Sequence, residues 1–385
     1  MSSFRLTRRL KVGFVDQRGE RAGGAERSLE LLLRHLPAEI DAHVVLFEEG
    51  RFERELHDAG FRTSVVRLGK NSALSTRERP RLRALGELPS GIVELARQLG
   101  AQRVDVVYTN SVKAHVVGCF AARLAGLPCV AHVRDILHGK ALAIVRTALS
   151  VGSQYRVAIS ARVAASYALP NTVVIDNPLD LDGYADLPDR ARARHELGIE
   201  DDLPVAAIVG RINRWKGQDR FLRALAAVNQ ESPTRGLIVG APVFRDEDFL
   251  PELHALRRSL GLERMVRFVD WVDDPRRVYA ATDIHVNAST EEPFGRNVIE
   301  AAAAGVPSVC FDDSGVSESM RGHTGIVVPA RDEAALARGM LRYSADGDAL
   351  RAAGAAAAAW SRRFDARQHG SRVGDVIRRA YAARS

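Results

Sequence analysis

Short runs of four or five apolar residues, rich in Val and Ile, alternate along the chain with longer stretches whose apolar residues recur every three or four positions. The short runs read as buried strands and the longer stretches as helices with one apolar stripe, so the alternation predicts parallel sheets with crossover helices. In the first half, strands are expected at 12–15, 43–47, 64–68, 104–108, 129–133, 156–159 and 172–175. The rhythm restarts at 205–209 and continues at 236–239, 266–269, 284–287 and 308–311. Between the two sets, Asp176-Asn-Pro178-Leu-Asp180 combines proline with turn formers and reads as a hinge. The expected organisation is therefore α/β: a Rossmann-like domain over 1–178, a second over 179–361, and a helical tail over 362–385.

Length agrees, because 385 residues exceed what one core usually serves and suggest two domains of about 180 residues each. No uncharged apolar run reaches the ~18 residues a membrane span needs, and the basic start flows into the first strand, so a cytoplasmic protein is expected. Cys119, Cys129 and Cys310 sit far apart in apolar contexts without metal-ligand spacing and read as buried free thiols. The formal charge of +7 comes from arginines interleaved with acidic residues, without an aromatic-interleaved basic stripe, so no nucleic-acid partner is expected. The excess charge could attract a phosphorylated substrate or an anionic membrane surface, for which the run from Arg77 to Arg83 is a candidate.

Candidate chemistry concentrates at Ser289 to Pro307. The strand at 284–287 runs into a loop punctuated by Pro293 and Gly295, and an Ala-rich helix follows until Gly305 and Pro307. The helix start should leave the N–H groups of Gly295, Arg296, Asn297 and Val298 available to an anion such as phosphate. Glu292 and Glu300 bracket that turn and could grip hydroxyls at two ends of one ligand. After the strand at 205–209, Gly210-Arg211-Ile-Asn-Arg-Trp-Lys216-Gly217 offers a planar guanidinium and a compact ammonium for a diphosphate. Gly23-Gly24-Ala-Glu26 opens the first helix with paired glycines that let a ligand approach the backbone. Tyr108-Thr-Asn110-Ser111 and Ala131-His132-Val-Arg134-Asp135 end strands, where open α/β sheets place their ligands.

Glu292-Pro-Phe-Gly295, Glu300-Ala and Gly305-Val-Pro307 closely resemble the Glu-x7-Glu segment of retaining nucleotide-sugar glycosyltransferases of the GT-B fold, family 4 (glycosyl transferases group 1). Arg211 to Gly217 is similar to the same family's Gly-Arg-x4-Lys-Gly segment. The resemblance implies two Rossmann-like domains facing each other across a cleft, and transfer of a sugar from a nucleoside-diphosphate donor to a hydroxyl acceptor with retention. Because Arg211, Lys216 and helix dipoles supply positive charge, no metal or cofactor is expected, and Asp273-Asp274 reads as a helix cap.

Carried over residue by residue, Arg211 and Lys216 meet the pyrophosphate, Glu300 holds the ribose and Glu292 orients sugar hydroxyls. Gly23, Gly24, Gly210, Ala241, Phe294, Gly295, Arg296, Asn297 and Val298 line the donor site. Val272 is the base-contact candidate, while Trp271 is either base-side or core. Asp270 stands where the family usually has glycine, and Ser314 replaces the first glycine of a Gly-Gly-x-x-Glu turn. His132 is placed near the transferred sugar, and Asn110, Ser111 and Arg134 on the acceptor side. Rival readings are a GT-B epimerase or phosphorylase-like enzyme and a non-catalytic nucleotide-sugar-binding protein; whether release of the nucleoside diphosphate needs a second substrate separates them. The base, the sugar, the acceptor and the oligomeric state stay open, with small-molecule, natural-product, glycan and lipid-linked acceptors all admissible.

Overall fold

A computed structural model describes residues 8–17, 19, 23–68, 88–242, 246, 248–320 and 324–383. The runs at Arg77–Arg83 and at 20–22 lie outside the described residues. The chain divides into two units, Met1–Pro178 with Ala366–Ser385, and Leu179–Asp365.

The first unit holds strands β1 (Leu10–Asp16), β2 (Ile40–Leu46), β3 (Arg62–Val65), β4 (Val106–Thr109), β5 (Cys129–Val133), β6 (Tyr155–Ala158) and β7 (Thr172–Val174). They form a parallel seven-stranded sheet in the order β3-β2-β1-β4-β5-β6-β7. In the second unit, β8 (Val205–Val209), β9 (Arg235–Val239), β10 (Val266–Val269), β11 (Ile284–Asn287), β12 (Ser308–Phe311) and β13 (Gly325–Val328) form a parallel six-stranded sheet, order β10-β9-β8-β11-β12-β13. In both sheets the strand order reverses beside the first strand, between β1 and β4 and between β8 and β11. Such a reversal opens a crevice beyond the carboxyl ends of the two strands, the usual ligand position in open α/β sheets.

Five of the expected strands have the observed bounds and the others shift by one to three residues. β13 was not expected. It is a four-residue edge strand, half-buried along three of its positions, so neither a long apolar run nor a clean alternation marks it. All three cysteines are buried and free, with the sulfurs of Cys119 and Cys129 3.9 Å apart.

The tail is not one helix from 362. Arg362–Phe364 forms a 3-10 turn whose Phe364 carbonyl accepts from the Leu179 N–H at 2.7 Å, which keeps this turn with the second unit. The helix Ala366–Ala382 then packs on the first unit. Its Val373, Val376, Ile377 and Ala380 share one helical face and join Leu10, Leu33, Ile40 and Val44 in that unit's core. Gly370 permits this approach, since a Cβ there would lie 2.0 Å from the His35 carbonyl oxygen.

Candidate active site

In the second unit, the loops after β8 and β11 meet. Asn213 accepts the Lys216 N–H with its side chain at 3.2 Å and shapes the 3-10 turn Arg214–Lys216. The Thr290 N–H donates to the Trp215 carbonyl at 2.8 Å, tying the second loop to that turn. Asp313 fixes the rest: its carboxylate accepts from Glu291 N–H at 2.9 Å and its carbonyl from Glu292 N–H at 2.8 Å. Lys216 Nζ consequently meets Glu292 Oε2 in an ion pair whose side chains are only 13% and 9% exposed. Lys216 also lies over the Trp215 ring, 4.2 Å from its centroid. Nothing in the local sequence marks this pairing, since 76 residues separate its partners.

Gly295 ends the loop in the left-handed region, φ 101°, where a Cβ would crowd Ser314 Oγ and Val316 Cγ1 at 3.0 Å. The helix Arg296–Ala303 begins there. Of the N–H groups expected to be available, that of Val298 is taken by the Gly295 carbonyl at 3.0 Å, because the turn tightens before the helix is established. Asn297 donates its side-chain amide to the Val209 carbonyl at 2.9 Å and accepts from Asn287 Nδ2 at 3.1 Å. It thus clamps the helix start to the end of β8, immediately before Gly210.

Glu300 is 7% exposed and held in one orientation. Arg296 Nε donates to its Oε1 at 2.9 Å, and the Tyr279 hydroxyl stands 3.4 Å from Oε2 and 3.2 Å from the Asn297 carbonyl. Beneath this site His285 is fully buried and hydrogen-bonded to Ser308 at 2.9 Å. Burial, reinforced by the charge of Lys216, pushes its pKa down to about 3, so it is neutral.

The other expected donor residues are distributed unevenly. Arg211 is exposed and makes no side-chain hydrogen bond or ion pair among the described residues, which leaves its guanidinium open to an anion. The Ala241 carbonyl accepts from Ile212 N–H at 2.9 Å, so the Ala241 turn backs the Gly210 loop. Val272 is half-buried, whereas Trp271 is 50% exposed and therefore not core. Phe294 turns inward, its buried ring edge-on to Phe364 at 6.1 Å. Ser314, in place of a glycine, donates its hydroxyl to the Phe294 carbonyl at 3.0 Å. Asp274 accepts the Arg276 N–H at 3.1 Å at the start of a helix, and no cluster of three potential metal ligands occurs among the described residues.

In the first unit, Asn110 and Arg134 are buried in a polar network at the ends of β1, β4 and β5. Asn110 Nδ2 donates to Asp16 at 2.7 Å, and Arg134 donates to Asn110 at 2.7 Å, to Asn177 at 2.6 Å and to His132 Nδ1 at 3.1 Å. Arginine only donates, so His132 Nδ1 must be an acceptor; it also receives the Tyr108 hydroxyl. The proton of the neutral ring is therefore on Nε2, which is buried and makes no hydrogen bond among the described residues. Burial, then the nearby positive charge of Arg134, holds the His132 pKa well below its ordinary value. His369 of the tail helix stacks on this ring at 5.9 Å. Ser111 is half-buried and accepts from Gln17 N–H at 3.1 Å, while Gly23 and Gly24 open the helix Gly24–Arg34.

Residues 189–360 match the family model described as Glycosyl transferases group 1, and residues 23–171 match the Glycosyl transferase 4-like domain. The chain belongs to this family. Among curated group 1 relatives, the D-inositol 3-phosphate glycosyltransferase of Streptomyces bingchenggensis is 31% identical over 227 residues, covering 55% of this chain and 48% of the relative. That of Actinosynnema mirum is 29% identical over 295 residues, 70% of each chain. The matched region spans about half the length of the first of these relatives. Among solved structures, Anabaena HepE in complex with UDP and glucose is 27% identical, with a TM-score of 0.82 over 96% of this chain and 99% of that one. Sucrose-phosphate synthase of Thermosynechococcus elongatus, 20% identical with a TM-score of 0.80 over 97% of this chain and 100% of its own, shares the GT-B fold.

Proposed function

We propose that this group 1 glycosyl transferase moves a sugar from a nucleoside-diphosphate donor to a hydroxyl acceptor, with retention at the anomeric carbon. The observation that carries the reading is the assembly at the β8/β11 reversal. There a buried Lys216–Glu292 pair, the turn at Gly295 and a fixed, buried Glu300 stand together beside an open Arg211.

An entering diphosphate presents stronger acceptors to Lys216 than one carboxylate does, and Arg211 supplies a second cation. The charge that grows on the leaving nucleoside diphosphate is met by these groups and by the start of the helix Arg296–Ala303. Glu292, released from Lys216, can accept from sugar hydroxyls, and Glu300 from the ribose. In the first unit, neutral His132 can act only as an Nε2–H donor and not as a base, because its acceptor nitrogen is already occupied. Retention follows if the acceptor attacks from the face the diphosphate leaves and a leaving-group oxygen takes its proton.

The HepE complexes with UDP and with UDP-glucose support a uridine nucleotide as the first donor to test. Calorimetry with a panel of nucleotide sugars is the direct experiment. Micromolar binding of one nucleotide sugar, lost in Arg211→Ala, is expected; absence of binding across the panel would remove the proposal.

A further inference from the structure

Between Val106 and Ile175 the chain has seven Lys or Arg residues and one carboxylate, Asp135, so this stretch carries nearly all of the formal +7. Lys113, Arg134 and Arg156 are buried. Arg123, Lys140, Arg146 and Arg162 are exposed. The helices Val112–Leu124 and Gly139–Gly152, which contain three of these four, contain no acidic residue and pack against each other. Arg123, Lys140 and Arg146 form no ion pair among the described residues, whereas on other helices Arg34, Arg97, Arg192 and Arg223 are each matched with a carboxylate three or four residues away.

The same face carries most of the exposed large apolar side chains among the described residues. Among the described residues five large apolar side chains are exposed, and four of them, Val93, Leu124, Ile144 and Val151, lie on three helices packed side by side. On the helix Gly139–Gly152 the spacing is regular: Lys140, Ile144, Thr147 and Val151 fall on one exposed stripe, with Ile144 43% and Val151 45% exposed. Three unmatched cations together with projecting aliphatic side chains fit a surface that is anionic outside and apolar just beneath. A nucleic acid would match the charge and leave the aliphatic residues without a role.

We infer that this face, centred on the helices Val112–Leu124 and Gly139–Gly152, docks the protein on an anionic lipid bilayer. The cations meet lipid phosphates while Leu124, Ile144 and Val151 enter the headgroup boundary. This surface is distinct from the residues assigned to the donor, so its test is independent of the proposed activity.

The test is co-sedimentation of the full chain with phosphatidylcholine vesicles with and without phosphatidylglycerol. Binding to the anionic vesicles, weakened by salt and absent from neutral ones, is expected. The triple variant Arg123→Glu, Lys140→Glu, Arg146→Glu should lower the partition coefficient at least about 100-fold. Ile144→Asn with Val151→Asn should lower it about tenfold. Both should leave nucleotide affinity and Tm unchanged, since every altered side chain is exposed. Equal binding to neutral and anionic vesicles, or wild-type binding by the triple variant, would overturn the inference. So would heparin binding abolished by the triple variant without any vesicle binding, which would assign the face to a polyanion. A wild-type dimer made monomeric by the two asparagines would assign it to a second copy of the chain.

Discussion

Lys216 Nζ rests against Glu292 Oε2, and almost nothing of either side chain reaches solvent. Each therefore neutralises the other. Removing one partner strands a buried charge, which generally costs about 3–5 kcal/mol, whereas removing both leaves no stranded charge. Lys216→Met and Glu292→Gln are expected each to destabilise the second unit by roughly 3 kcal/mol, and the double variant by less than their sum. Urea denaturation of the four proteins checks this; strictly additive losses would mean that the pair is not coupled.

Arg211 should behave differently, because it is exposed and matched to no carboxylate among the described residues. Arg211→Ala is expected to leave Tm unchanged while weakening nucleoside-diphosphate binding about 10- to 100-fold, the worth of one charge-assisted hydrogen bond. Calorimetry beside a thermal melt separates the two effects. Unchanged affinity would remove Arg211 from the donor site.

Glu300 is fixed by Arg296 and Tyr279 before any ligand arrives. If it holds the ribose, a 2′-deoxy donor should bind about tenfold more weakly than the normal donor. Glu300→Gln should erase most of that difference. Equal affinity of the unmodified protein for both donors would take the ribose away from Glu300.

Buried neutral histidines set a pH dependence of stability. His285 and His115 are each held near a pKa of about 3, mainly by burial and secondarily by Lys216 and Arg134 respectively. In the unfolded chain they titrate near ~6.5. Between those values the unfolded state binds protons that the folded state does not, so stability is full above about pH 6.5 and falls on acidification. Going from pH 7.5 to 5.5 should cost about 1 kcal/mol per buried histidine, and His285→Asn should recover its share. Denaturant titrations at the two pH values test the sign; a gain in stability at pH 5.5 would contradict it.

The last prediction is stereochemical. The product is expected to keep the donor's anomeric configuration, since His132, with Nδ1 already accepting and a depressed pKa, is a poor base for an inverting attack. The anomeric coupling constant of the product decides between the two outcomes.

Much of the second unit was legible in the chain itself. Strands buried on both faces are uninterrupted apolar runs, and β8, β10, β11 and β12 were bounded correctly. Glu292, Gly295 and Glu300 were legible because a turn, a helix start and two carboxylates occupy adjacent positions. Partnerships formed across the fold were not. Nothing local links Lys216 to Glu292, Tyr279 to Glu300 or Asp313 to the Glu291 backbone. Asp16 and Tyr108 could have been singled out as polar groups at strand ends, and Asn287 likewise, but only the folded sheet shows which neighbours they serve. Asn110 and Arg134 illustrate the converse: strand-end polar residues expected on the acceptor side prove to be buried and bonded to one another.

Because the helix Ala366–Ala382 completes the core begun by Leu10 and Ile40, the first unit cannot finish assembling until those residues have emerged from the ribosome. The second unit, contiguous from Leu179 to Asp365, can fold while the rest is still being made. During synthesis the earlier half waits with Leu33, Ile40 and Val44 not yet covered by that helix. The close fit of Gly370 against His35 means that this wait ends in a single seating, and a bulkier residue at 370 should prolong the vulnerable interval more than it alters the finished site.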